Sequence, residues 1–170
     1  MKLKDLALLA ELASAVAVVI SLVYVGVQVN DNTSAIRSAA ASDATTTMQA
    51  WYLQMGDNRQ ASDVWYRAMT SPSPLSNEDE FQFMMSMHVA ILGMQNSFLL
   101  VKEGTLDPEF REGVTAAIVA VKALPGMQRF WTQRRGFFHV EFASFVDALL
   151  ARDSIETLDI YRIPDPGGTG

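Results

Sequence analysis

The chain has 170 residues, with 13 Lys and Arg against 19 Asp and Glu, a net charge of −6, and 49% hydrophobic residues against 19% charged. One domain with a core fits that length, and the apolar surplus excludes a disordered tail. The acidic balance argues against a protein that grips nucleic acid, and the absence of cysteine excludes a disulfide scaffold, a thiolate zinc site and a cysteine nucleophile.

The hydrophobic residues are unevenly spread. From Leu6 to Val29, 19 of 24 residues are apolar and Glu11 is the one charge. The charge-free run Leu12–Val29 would make a helix about 27 Å long, and the longer run one of about 36 Å, against a hydrocarbon core of roughly 30 Å. A transmembrane helix over about residues 6–29 is therefore expected, with residues 1–30 as an anchor. The β-branched run Val16–Ile20 is no obstacle, because hydrocarbon forces backbone hydrogen bonds to close within the helix. A secretory signal would have an apolar region of only about 7–15 residues with cleavage soon after it. Here the small triplet Ala39–Ala41 lies ten residues beyond the run, so the anchor is expected to be retained. Lys2 and Lys4 precede the run and only Arg37 follows closely, which favours a cytoplasmic N-terminus by a slim margin.

Within this helix Ala13, Ala17 and Ser21 recur every four residues, and Gln28 falls on the same face. Small residues let two membrane helices approach closely and an amide can hydrogen-bond across them, so these four residues are the candidate helix–helix interface. The competing reading is that Ala and Ser are simply common in such helices. Glu11 would snorkel to the headgroups or pair with Lys4.

Residues 31–152 are expected to form a helical domain. Lys2, Lys4, Asp5 and Glu11 cancel, so the whole −6 lies after residue 30. Periodicity is helical throughout. Asn30–Met55, with Ile36, Ala40, Ala44, Met48, Trp51 and Met55 on one face, is able to continue the membrane helix without a break. Gly56-Asp57-Asn58 signals a turn before a short helix over Arg59–Met69, with Val64, Trp65 and Met69 inward, and Ser71-Pro-Ser-Pro74 ends it. Ser76 has the character of an N-cap, followed by Glu78, Asp79 and Glu80 where the helix dipole favours acids. That helix should run to Glu103 and stop at Gly104. Its 21 residues between Glu80 and Lys102 carry no charge, a membrane-spanning length, but its mean hydropathy is roughly 1.3 against roughly 2.2 for the first segment. The expectation is a central bundle helix buried all round.

Asp107-Pro108 predicts the start of a helix through Val114, Ile118, Val121 and Leu124, stopped by Pro125-Gly126. Short helices over Met127–Arg135 and His139–Arg152 follow, the last with Phe142, Phe145, Val146 and Leu149 apolar, and an extended tail runs from Asp153 through Pro164 and Pro166. The fold class is thus all-α, an N-terminal transmembrane helix followed by an irregular bundle of about five helices, with residues 153–170 as a tail.

Catalytic constellations are missing from the sequence. His88 shares a face with Phe81, Met84, Ile91 and Leu92 and reads as a hydrogen-bonded core histidine. His139-x-Glu141 has the H-x-E of zinc deaminases without their cysteines. No nucleophile-elbow, zincin or phosphate-loop pattern occurs, so no catalytic residue, cofactor or metal site is assigned. The segment from Arg129 to Arg135 interleaves Arg129, Arg134 and Arg135 with Phe130 and Trp131. These arginines are candidates for contact with anionic headgroups or a partner, nucleic acid being disfavoured by the domain's acidity. The plainer alternative buries Phe130 and Trp131 and leaves the arginines in solvent.

An apolar helix running into Val27-Gln-Val-Asn-Asp-Asn-Thr33, then Phe130-Trp131, Arg134-Arg135, Phe138, Phe142 and Phe145-Val-Asp147, resembles a widespread group of uncharacterised bacterial proteins with one N-terminal membrane helix and a small helical domain. The resemblance covers residues 6–150. It implies that architecture and a bacterial cytoplasmic membrane, and it carries no activity to any residue. The group often has Arg where Asn30 stands, so here the basic flank that would draw the domain to the cytoplasm is lacking. Together these readings lead to an expected non-enzymatic interaction protein, partnered by the lipid bilayer, that self-associates or serves as an accessory subunit of a membrane assembly. The alternative is a ligand-binding or sensory domain with a Met-lined pocket.

Overall fold

The structure, a computed structural model, describes residues 3–152. The expected tail from Asp153 lies outside the described residues. Among those described, the chain is all-α: α1 (Leu3–Asp57), α2 (Arg59–Thr70), α3 (Asn77–Lys102), α4 (Glu109–Val121), α5 (Pro125–Arg134) and α6 (Val140–Leu150), with one 3₁₀ turn at Arg135–Phe137. Five helices thus follow the N-terminal one. The chain divides into two compact units, the first ending at Ala39 and the second beginning at Ala40.

The first unit is the N-terminal part of α1. It is long and apolar enough to cross a membrane. Its polar side chains close hydrogen bonds within the helix: Ser14 Oγ donates to the Ala10 carbonyl at 2.8 Å and Thr33 Oγ1 to the Val29 carbonyl at 2.8 Å. Such back-bonding is what a polar side chain needs where no water is at hand. Glu11 forms no ion pair with Lys4 among the described residues, so the pairing considered above is not made.

In the second unit α1 changes character. Apolar residues cover the whole circumference before Val29, whereas beyond Ala40 one face, with Ala44, Met48, Trp51 and Met55, is buried or half-buried while Tyr52 and Leu53 stay exposed. The indole of Trp51 packs edge-on against Trp65 at 4.9 Å and donates to the Ser86 carbonyl at 3.2 Å, joining this part of α1 to α2 and α3. Asn58 caps α2 by accepting from the Ala61 N–H at 3.0 Å. Ser76 caps α3 as expected, its hydroxyl accepting from the Asp79 N–H at 3.2 Å. Gly104 ends α3 with φ +75°, a conformation that suits glycine. Ahead of α4, whose cap position is Pro108, Asp107 Oδ1 accepts from the Glu109 N–H at 2.9 Å.

The core of this unit is built from Met69 of α2, Phe83 and Ile91 of α3, Ile118 of α4, Met127 and Phe130 of α5, and Phe142, Val146 and Leu149 of α6. Three expectations are corrected. Pro125 does not end α4, which has already stopped at Val121; it opens α5, where proline lacks only an N–H that the first turn leaves free. His139 lies outside α6 and caps it, its Nδ1 accepting from the Glu141 N–H at 3.4 Å. The third concerns α3, which is not buried all round. Phe83, Met84, Met87, Ala90, Ile91, Ser97 and Phe98 face the core, but Phe81, Met85, Val89 and Leu92 are exposed. The helices packed on α3, namely α2, α4, α5 and α6, cover only part of its circumference.

Gly126 shows how closely the elements meet. A Cβ there would lie 2.6 Å from the Ala68 carbonyl oxygen and 2.6 Å from Met69 Cα. The first turn of α5 therefore touches the last turn of α2 through backbone, which only glycine permits.

Candidate functional site

The candidate residues of the first unit fall as the spacing requires. Ala13, Ala17, Ser21 and Gln28 share one face of an unbroken helix and all are exposed. Gln28 is engaged locally, donating from Nε2 to the Tyr24 hydroxyl at 2.9 Å, so any bond to a neighbouring helix falls to its carbonyl or its second N–H.

The three candidate arginines part company. Arg129 is drawn inward: its side chain is 16% exposed and donates to the Ser71 carbonyl at 2.7 Å, the Ala68 carbonyl at 2.8 Å and Glu80 at 3.3 Å. Glu80 in turn accepts from the Leu75 N–H at 3.2 Å. Arg129 thus satisfies the free carbonyls at the end of α2 and fixes the Ser71–Leu75 loop to the start of α3, which is an internal role. Arg135 grips Asp147 with two nitrogens at 2.6 and 2.9 Å, and Asp147 also accepts from the Trp131 indole at 2.8 Å. Hydrogen bonding by Arg135, with a smaller contribution from Trp131, holds the Asp147 carboxyl below the usual carboxylate range. Arg134 lies over the exposed ring of Phe137 at 5.4 Å. Phe130 and Trp131 are buried.

These contacts explain a pattern seen in the sequence. Trp131 stacks on Phe138 at 5.5 Å, Phe138 meets Phe142 at 6.1 Å, and Phe142 meets Phe145 at 6.3 Å. The Trp131–Asp147–Arg135 bonds lock this aromatic row to α5. Trp131, Arg135, Phe138, Phe142, Phe145 and Asp147 of this segment are therefore a packing device.

His88 departs from expectation. Its ring sits 5.0 Å from Phe138, 6.0 Å from Phe137 and 6.2 Å from Phe130, and its buried Nδ1 has no hydrogen-bond partner. Burial, helped by the nearby positive charge of Arg134, pushes its pKa below the ordinary histidine value. No group of three or more His, Asp or Glu side chains is placed to hold a metal ion among the described residues.

Two surface features stand out, an apolar stripe on α3 and a groove where the alternative of a Met-lined pocket finds a place. The first is the exposed stripe of Phe81, Met85, Val89 and Leu92, whose i, i+4, i+8, i+11 spacing is the same as that of a core-facing stripe. The second is an open groove of about 480 Å³ between the second-unit part of α1, α3 and α4. Ala44, Met48, Tyr52, Met94, Phe110 and Val114 make it apolar, and Gln49 and Glu109 bring polar groups to it. No short-range signal marks it, because its walls come from three helices far apart in sequence.

Comparison with protein-family models, with curated proteins and with solved structures gives no match.

Proposed function

We propose that this chain is a non-enzymatic, single-span membrane-anchored helical protein that acts through contacts, by self-association or as an accessory subunit of a membrane assembly. The observation that carries the proposal is the uncovered apolar face of α3, where Phe81, Met85, Val89 and Leu92 stand exposed along one side of the helix. Contiguous exposed apolar surface marks an interaction site more often than chance exposure does. The apolar span Leu6–Val29 and its small-residue face at Ala13, Ala17 and Ser21 support the same reading, with the bilayer as the first partner. The resemblance to single-span bacterial proteins supports a bacterial cytoplasmic membrane, and the Lys2 and Lys4 flank supports a cytoplasmic N-terminus. Extraction in mild detergent, followed by mass measurement and identification of bound proteins, tests it. A complex larger than one chain is expected; a monomer at every concentration with no co-purifying protein would overturn the proposal.

The groove between α1, α3 and α4 favours a second reading, an apolar ligand site. Its volume falls within the range of small-molecule pockets, and Met48 and Met94 give it adaptable walls. Gly113 lines the groove with open space beside it, so Gly113→Leu fills the site without touching the core. Loss of binding of an apolar fluorescent probe in that variant would support a ligand; equal binding in variant and wild type would dismiss it.

A further inference from the structure

We infer that the uncovered face of α3 docks a second copy of this chain, α3 against α3 about a two-fold axis. This rests on the interaction reading above and names the partner. Phe81, Met85, Val89 and Leu92 are 64, 36, 51 and 39% exposed, which leaves about 350 Å² of apolar surface on one face of the helix. Phe137 and Val140 border it, since the Phe137 ring lies 6.0 Å from that of His88 and the His139 N–H donates to Gln95 Oε1 at 2.6 Å. With these two exposed residues the patch reaches roughly 600 Å², so pairing two copies removes about 1,200 Å² from water, the lower edge of the range for a specific interface.

Charge selects the occupant. Between Glu80 and Lys102 α3 carries no charged side chain, although the residues after position 30 carry the whole −6. A two-fold contact sets each residue's surroundings against themselves, so a charged face would repel its own copy, and this one does not. The face fits a bilayer surface poorly. Helices that lie on membranes carry several Lys and Arg along their apolar face; α3 has none before Lys102, Lys102 pairs with Glu141, and Arg134 over the bordering Phe137 is a single cation at one edge. Shape agrees as well. Beside the ridge of Val89 and Leu92 lies a hollow of about 240 Å³ floored by Gly93 and edged by Thr47 and Asn96, a recess into which the same ridge of another copy fits. A contact of this size is weak in free solution, and confinement of both copies to one bilayer supplies the effective concentration that it needs.

The chain has no cysteine, so Val89→Cys, Leu92→Cys and, as a control on an exposed site of α5, Gln133→Cys each introduce the sole thiol. Each full-length variant is purified, placed in lipid vesicles at equal density and treated with a mild oxidant. A disulfide forms only where the two Cα atoms come within about 7 Å. A disulfide-linked dimer is expected at position 89 or 92 at least tenfold faster than at 133. Adding Leu92→Asp to the Val89→Cys chain brings like charges together and should return its rate to the control level, with the tryptophan-monitored unfolding unchanged. Rates at 89 and 92 no faster than at 133, or indifferent to Leu92→Asp, would overturn the inference. If thiols at 89 and 92 then prove shielded from a water-soluble maleimide, another occupant covers the face and the interaction reading survives. If they are open and mild extraction yields only free monomer, both readings fall.

Discussion

Replacing Arg129 by alanine tests whether this arginine holds the fold together or meets a partner. The substitution removes two hydrogen bonds from a charged donor to main-chain carbonyls, at 2.7 and 2.8 Å, and the 3.3 Å contact with Glu80. Hydrogen bonds to charged groups contribute about 1.5–3 kcal/mol each. The lower end applies to a side chain that is 16% exposed, because water can reach the carbonyls left behind. The longer 3.3 Å contact with Glu80 adds about 1 kcal/mol. The sum is a destabilisation of about 3–4 kcal/mol, or a fall in Tm of roughly 10–15 °C for a domain of this size. Trp51, Trp65 and Trp131 all lie in the second unit, so tryptophan fluorescence of the full chain in detergent follows its unfolding alone. Arg129→Lys keeps the charge but not the fork that reaches two carbonyls, and should fall between wild type and Arg129→Ala. A surface arginine would change stability by less than about 0.5 kcal/mol. An Arg129→Ala chain that melts within two degrees of wild type, by this principle, would refute the clamp and return Arg129 to the list of partner contacts.

Gly126→Ala should destabilise the second unit by about 1–3 kcal/mol despite the better helix propensity of alanine, since the new Cβ meets backbone that has to move; a melt at or above wild type would show that α5 shifts freely against α2. His88 should make stability pH-dependent. Its folded pKa lies below its unfolded value near 6.5, so the unfolded chain takes up a proton first, and stability present above that pH is lost as pH falls through the folded pKa. His88→Leu should flatten the part of the stability profile just below pH 6.5; an unchanged slope there would assign it to another group.

The local chemistry of the chain was enough to determine the helical class, the apolar span, the turn at Gly56-Asp57-Asn58, the cap at Ser76 and the start of a helix after Asp107-Pro108. Each depends on residues within a few positions of one another, or on a composition that leaves the backbone no other way to satisfy its hydrogen bonds. Proline at position 125 is ambiguous locally because the same residue suits the end of one helix and the start of the next, and only the chain path chooses between them. The fate of the arginines was also beyond local reading. Arg129 and Arg135 sit six residues apart in the same basic aromatic segment, yet one reaches back across the fold to Ala68 and Ser71 and the other forward to Asp147.

The exposed face of α3 teaches the same lesson in reverse. An uncharged helix reads as buried on every side, but burial is a property of the neighbours, and the described bundle has too few helices to surround it. Helix type follows from hydrogen bonds and spacing along the chain, so the sequence by itself determined an apolar helix and a helical domain. Which apolar residues face the core, which face outward and where a groove opens depend on contacts between segments 30 to 60 residues apart, and only the tertiary structure decided those.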